Sequence, residues 1–282
     1  MNSDSRSGRY SIIRFNLLTS LLAILNTNDE SDTDFVIAKY ILNNLNTMAD
    51  TSIYKVAEDC FVSRSSVQRF IANIGYDSFT QMKQSIAEVV AHEGALLDYT
   101  DHSEYTNYLL ESIRSMSEDI AEAASGDSFR KLLDMFAKAD NIVILTAEDS
   151  AHACRLLQQQ LLAFGKLIRI VTSAAKDLSL LNSLTEDDLL MVCSITGNFA
   201  LAANDQLPGI KAKKCLITLN RTAVFEDHYS LIFYLSDKIR PSSRNISMFK
   251  NVYTSYGLTF LFDLFYHECY LRYQTQNEQI TQ

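Results

Sequence analysis

The chain has 282 residues, of which 47% are apolar and 21% charged, so it can bury a core in each of two domains, and long disordered tracts are excluded. The formal net charge of −9 excludes a protein that coats nucleic acid along its whole length. It does not exclude a single helix that recognises bases in the major groove, because such a helix needs only a few hydrogen-bond donors. The five cysteines lack any paired-ligand spacing, and no apolar run reaches the ~20 residues of a membrane span. We therefore expect reduced thiols in a cytoplasmic protein, with no metal, cofactor or membrane partner.

The first third of the chain has the apolar periodicity of helices. Apolar residues recur every three or four positions over 16–25 and 34–48, which is typical of amphipathic helices. Shorter helices are predicted over three further segments: 53–60, 64–74 and 78–91.

A polar segment without a clear period, 94–104, follows these helices, and we interpret it as a linker. The sequence therefore predicts a multidomain protein, with an all-α domain over 1–93 and a second domain over 105–282.

The second domain has the pattern of an α/β fold. Short runs rich in Ile, Val and Leu alternate there with helical segments, and their lack of polar alternation predicts strands buried on both faces. The alternation predicts a five-stranded parallel sheet flanked by helices. The predicted strands are 142–145, 167–171, 189–193, 215–219 and 231–235, and the predicted helices are 105–124, 128–139, 151–164, 200–211 and a closing helix over 253–273.

Residues 52–70 predict two short helices joined by a tight turn, with Ser63 as the N-cap of the second. Four apolar residues of the second helix fall on one face and should point to the core: Val67, Phe70, Ile71 and Ile74. The periodicity alone is equally compatible with an ordinary helical hairpin whose polar face is solvated.

The polar face of that second helix carries the side chains that groove recognition requires. Arginine can bond two acceptors on guanine, glutamine and asparagine can pair with adenine, and hydroxyls near a helix N-terminus suit phosphate contacts. The candidate DNA contacts are Ser63, Arg64, Ser65, Ser66, Gln68, Arg69 and Asn73.

The order of residues over 56–79 resembles the N-terminal domain of the RpiR/MurR family of transcriptional regulators. The resemblance is carried by Val56-Ala57-Glu58, by Val62-Ser63-x-Ser65-Ser66-Val67-x-Arg69-Phe70, and by Ile74-Gly75-Tyr76 with Phe79. It implies a helix-turn-helix domain that binds double-stranded operator DNA as a homodimer or tetramer, followed by a sugar isomerase (SIS) domain that senses phosphosugars. Phe61 departs from the pattern, because glycine is frequent there, and a side chain at this position is tolerated if the turn keeps φ negative.

A weaker resemblance to the SIS domain covers about residues 105–240. Such a domain binds its phosphosugar at the carboxyl ends of the strands, as topology requires of an open α/β sheet. The first family loop, Gly-x-Gly-x-Ser, here reads Thr146-Ala147-Glu148-Asp149-Ser150, and the second, Ser-x-Ser-Gly-x-Thr, reads Ser194-Ile195-Thr196-Gly197-Asn198-Phe199. The resemblance implies an effector-binding set of Ser150, Ser194, Thr196 and Gly197, with Ser173 and Lys176 adding to it from a neighbouring loop.

The two loops form the phosphate-binding cradle of a SIS domain, and here two carboxylates, Glu148 and Asp149, stand in the first loop. Unless they point away, they repel a dianion where water is excluded. Three alternatives follow: the second domain binds a phosphosugar whose charge Ser173 and Lys176 help to balance, it binds a less anionic ligand, or it serves only as a dimerisation scaffold. For Ser150 alone, a helix N-cap without a ligand role is an equal alternative.

A SIS-fold sugar-phosphate isomerase is the alternative from another class, and it would need an acid–base pair such as Glu with His. The two loops show no such pair, so we predict no catalytic residues. The favoured interpretation is a DNA-binding regulator of sugar or amino-sugar metabolism genes.

Overall fold

The computed structural model describes residues 17–86, 89–90, 104–172, 179–238 and 252–280, with the side chains at 205–206 and 275–280 excepted. The chain divides into two compact units, Met1–Asp101 and His102–Gln282. The predicted linker lies outside the described residues apart from Glu104, so the boundaries at 93 and 105 stay predictions.

The first unit is helical, as predicted. Its helices begin and end within a few residues of the expected positions, except that the second stops at Asn43 and continues as a 3₁₀ turn, Leu45–Thr47. The helices are α1 (Leu17–Thr27), α2 (Thr33–Asn43), α3 (Ile53–Asp59), α4 (Arg64–Asn73) and α5 (79–86, continuing at 89–90).

The core of this unit is formed by one stripe from each helix. Leu21, Ile41, Val56, Phe70 and Met82 come from the five helices in turn, and all are completely buried. Burial of such side chains contributes roughly 1.5–3 kcal/mol each, which fixes the faces that the helices turn to solvent.

The second unit contains the predicted five-stranded parallel sheet, in the order β2-β1-β3-β4-β5. Of the helices within the described residues, two precede the sheet, three lie between its strands, and one follows it. The strands are β1 (Ile142–Thr146), β2 (Ile168–Thr172), β3 (Leu189–Cys193), β4 (Lys213–Thr218) and β5 (Leu231–Tyr234), and the helices are α6 (Tyr105–Ala124), α7 (Asp127–Lys138), α8 (Ala151–Leu161), α9 (Ser179–Asn182), α10 (Asn198–Ala203) and α11 (Leu258–Ile280).

The strands are not all buried on both faces. Every residue of β1 and β3 is buried, but β2 and β5 expose or half-expose most of theirs, so the prediction was wrong for these two. Both are edge strands, where the flanking helices cover less of the sheet.

The closing helix begins with a π-helical turn, Tyr253–Gly257, and continues as α11. Its Phe265 ring lies edge-on to two rings of α7, with centroids 6.1 Å from Phe129 and 4.8 Å from Phe136. Aromatic contacts of this geometry add to the stabilisation from burial, so they hold α11 against α7. None of the described helices combines the length and hydropathy that a membrane span requires.

A buried carboxylate joins three parts of the second unit. Asp119 of α6 is only 7% exposed, and it accepts hydrogen bonds from Ser236 Oγ at 2.9 Å and from Tyr253 OH at 2.9 Å. Lys238 Nζ donates to its other oxygen at 2.6 Å. Asp119 therefore ties α6 to the segment after β5 and to the start of the closing helix.

Candidate nucleic-acid interface and sensor site

Helix α4 has the two faces that its sequence predicts. The four residues predicted to face the core are at most 4% exposed: Val67, Phe70 and Ile71 in α4, and Ile74 at its C-cap. On the other side, the candidate contacts Ser63, Arg64, Ser65, Gln68, Arg69 and Asn73 are exposed, and Ser66 is half-buried. The structure therefore brings all seven candidate contacts onto one helix and its cap.

Three hydroxyls cluster at the start of α4. Ser63 Oγ accepts a hydrogen bond from the Ser66 backbone N–H at 3.1 Å, so the predicted N-cap is confirmed. The same oxygen lies 2.7 Å from Ser65 Oγ and 2.9 Å from Ser66 Oγ. These hydroxyls stand at the positive end of the helix dipole, where an anion is favoured.

The guanidinium groups of α4 are not neutralised by acids within the described part of the chain. On the neighbouring helix, Lys55 is held by Asp59 at 2.7 Å. Arg64 instead lies over the ring of Tyr54, with 5.0 Å between its Cζ and the ring centroid. Arg64 and Arg69 therefore keep their charge available on the exposed face.

Phe61, in the turn between α3 and α4, has a φ of +54°, so the condition of a negative φ at this side chain is not met. The Phe61 N–H donates to Glu58 O at 3.1 Å, and the Val62 N–H donates to Ala57 O at 2.9 Å. This pair of bonds is a Schellman motif, which requires a left-handed residue at this point whatever its side chain. The end of α4 has the same pair of bonds, with Gly75 at φ +91° in the equivalent position.

In the second unit, the strand register brings the family loops to one edge of the sheet. Thr146 is paired with Cys193 in adjacent parallel strands, and its Oγ1 donates to Cys193 O at 3.1 Å. The loops that follow, which contain Ser150 and Ser194, are therefore neighbours at the carboxyl edge.

The second loop is built tightly around a glycine. Gly197 has φ +80°, and a Cβ placed on it would lie 2.5 Å from Asn220 Cβ. Asn220 Nδ2 also donates to Thr196 O at 3.0 Å. Asn220 was not predicted, because an asparagine after a strand gives no signal beyond a turn. It fixes the backbone of the loop.

The hydroxyls of this loop already have local partners. Ser194 is 4% exposed, and its Oγ accepts from the Ala200 N–H at 3.2 Å, while Thr196 Oγ1 accepts from the Asn198 N–H at 3.4 Å. Phe199 is 1% exposed, so its ring is part of the core and does not stand in the cradle.

The first loop has a different charge pattern from the one the sequence suggests. Glu148 Oε1 lies 3.1 Å from Arg155 Nη2, so one of the two carboxylates is paired. Ser150 occupies the N-cap position of α8, but its Oγ donates to Asp149 Oδ1 at 3.2 Å and makes no capping bond, so its part in effector binding stays a prediction. Ser173 and Lys176 lie outside the described residues.

The cysteines are free, and all but Cys269 are buried. Burial raises the pKa of the Cys60 thiol to about 11, so it stays protonated at neutral pH. Within the described ranges, no group of three or more His, Cys, Asp or Glu side chains is placed to hold a metal ion.

Comparison with known families gives a match within the first unit. The family described as "Helix-turn-helix domain, rpiR family" matches residues 19–93. A helix-turn-helix-type transcriptional regulator of Caldanaerobacter subterraneus subsp. tengcongensis is 34% identical over 83 residues, which are 29% of this chain and 29% of that protein. The chain thus aligns with less than a third of its curated relative.

Solved structures with a similar fold include the Vibrio vulnificus NanR protein complexed with ManNAc-6P. It has 18% sequence identity and a TM-score of 0.46, and the likeness covers 94% of this chain and 97% of that one. The sugar isomerase domain of an RpiR transcription factor from Sphaerobacter thermophilus has 13% identity and a TM-score of 0.43, covering 61% of this chain and 94% of that one. Both TM-scores lie below 0.5, so neither likeness bears on the ligand or activity of this chain.

Proposed function

Because residues 19–93 form a helix-turn-helix domain of the rpiR family, we propose that the whole chain is a DNA-binding transcription regulator acting in the bacterial cytoplasm. The observation that carries this proposal is the exposed polar face of α4, with two guanidinium groups that no described acid neutralises. The family match points to a regulator rather than to the isomerase alternative.

The side chains of α4 divide into two kinds of contact. Gln68, Arg69 and Asn73 stand on the exposed face and suit base edges in the major groove. The serines at the helix start and Arg64 suit contacts with the phosphate backbone. Such contacts position the helix-turn-helix domain on the duplex but do not recognise its base sequence.

A homodimer, alone or as half of a tetramer, would present two copies of α4 to a pseudo-palindromic operator. The second unit has an exposed apolar surface that suits self-association, since Leu162 is 54% exposed and Leu167 is 76% exposed. On α11, Tyr270 and Tyr273 are each 40% exposed, and their ring centroids lie 6.3 Å and 5.1 Å from that of Phe164, which stands between the two leucines in the chain. We assign this surface to the subunit interface.

An effector at the carboxyl edge would act by binding two states of the regulator with different affinity. Pairing of Glu148 with Arg155 removes part of the repulsion that a phosphosugar would meet there. The burial of Ser194 supports the scaffold alternative, because its hydroxyl is already engaged.

A nuclease-protection experiment on the DNA upstream of the chain's own gene tests the regulator. We expect two protected half-sites whose centres are about 10 bp, or a multiple of that, apart, because each subunit contributes one recognition helix. A single unpaired site would contradict the dimer, and no protection at low salt would contradict DNA binding upstream of this gene.

A thermal-shift screen against hexose and amino-sugar phosphates tests the sensor. Binding to the native state raises the unfolding midpoint, and Thr196→Val should weaken that rise. Ser183→Ala, which removes an exposed hydroxyl before β3, is the matched control. No rise with any sugar phosphate at millimolar concentration would favour the scaffold alternative.

A further inference from the structure

The contact between Tyr54 and Arg64 links the first turns of the two helices of the helix-turn-helix. Tyr54 is the second residue of α3, and Arg64 is the first residue of α4. The guanidinium lies over the tyrosine ring, 5.0 Å from its centroid. We propose that Tyr54 is a positioning residue that holds Arg64 against a phosphate of the DNA backbone. This inference rests on the proposed function.

The place of Arg64 is unfavourable for the isolated fold. The first turn of α4 contains no acidic residue, and a cation at this end of a helix is repelled by the helix dipole. The arrangement becomes favourable when an anion approaches, because the guanidinium and the dipole then attract the same group.

The aromatic ring gives the Arg64 guanidinium a favourable contact in the free protein. Stacking on a π face attracts a cation and restricts the rotamers of a long side chain. Less conformational entropy is then lost when the guanidinium meets a phosphate, since the group is already in place.

Tyr54 itself is 64% exposed, so the ring does not serve the core. The sequence alone does not single out Tyr54, because one tyrosine near a helix start is compatible with an ordinary solvated surface.

The test uses the full chain and two labelled duplexes, one from the region upstream of its own gene and one of mixed sequence. Tyr54→Leu should weaken binding to both duplexes by about threefold to fivefold, since backbone contacts are independent of sequence. Tyr54→Phe retains the ring and should bind like the wild type. Tyr256→Leu, at another tyrosine with 44% exposure, is the matched control.

A double-mutant cycle separates positioning from an independent contact. Arg64→Ala should reduce the slope of log affinity against log salt by about 1 for each helix-turn-helix domain. Adding Tyr54→Leu to it should cause no further loss, because Tyr54 acts through the guanidinium. Arg64→Lys keeps the charge but not the planar stacking, so it should weaken binding at an unchanged salt slope.

The inference is overturned if Tyr54→Leu binds as tightly as the wild type, or if its loss multiplies with that of Arg64→Ala. If the wild type binds DNA, Arg69→Ala weakens that binding and Tyr54→Leu does not, then the inference fails and the proposed function stands. A wild-type chain that binds neither duplex overturns the proposed function as well.

Discussion

Replacing Phe61 by glycine should stabilise the first unit, although it removes an aromatic side chain. The left-handed conformation at φ +54° costs a residue with a β-carbon roughly 1–2 kcal/mol. Glycine avoids that cost but loses more conformational entropy on folding, by about 0.5–1 kcal/mol. The phenyl ring is 95% exposed, so its removal sacrifices almost no burial. The expected gain in the free energy of unfolding is therefore about 0–1.5 kcal/mol.

Scanning calorimetry of the full chain measures this effect. For a unit of this size, a gain of 1 kcal/mol raises the midpoint by about 4–8 °C. Phe61→Ala is the control, because it removes the ring but keeps the β-carbon, and its midpoint should stay near that of the wild type. Gly75→Ala, in the same motif at the end of α4, should lower the midpoint and so identify the transition of this unit. A lower midpoint for Phe61→Gly would refute the reasoning and would show that the exposed ring has a stabilising partner.

Gly197→Ala should destabilise the second unit by about 2 kcal/mol or more, through the left-handed φ and the contact with Asn220, and Asn220→Ala should recover part of the loss in a calorimetric double mutant. Asp119→Ala should cost about 2–4 kcal/mol in urea unfolding, because it leaves two buried hydroxyls without their acceptor. Lys238→Ala should cost less than about 1 kcal/mol, since that side chain is exposed, and equal losses for the two variants would contradict this account. The pKa of the Asp188 carboxyl lies below its usual range, chiefly because the Thr185 N–H donates to it. The ionised carboxyl therefore contributes to the free energy of unfolding above about pH 4, its pKa in the unfolded chain, and this contribution is lost as the pH falls further. Asp188→Asn should therefore flatten the acid limb of stability against pH, and an unchanged limb would contradict this assignment.

The sequence predicts most of the fold because periodicity is a local property. The period of α4 identifies its buried face, and Ser63 identifies its first residue, so the polar face of the helix follows directly. The five apolar runs likewise predict the sheet, although only its order shows that β2 and β5 are edges.

The rest depends on contacts between residues far apart in the chain. The Ser236 and Tyr253 hydroxyls meet Asp119 across more than a hundred residues, and no local pattern marks any of them. Phe61 shows a different limit, since the hydrogen bonds at the end of α3 impose a left-handed residue where the sequence suggests an ordinary one. The roles of the carboxyl-edge residues stay predictions.

Fluorescence anisotropy of the full chain with a duplex from its own upstream region tests the central claim most directly. The account predicts tight binding that weakens steeply between about 50 and 200 mM salt and is lost in Arg69→Ala. Arg114→Ala, which removes an exposed arginine from α6, should bind like the wild type. Binding that Arg69→Ala leaves unchanged would contradict the assignment of α4 as the recognition helix.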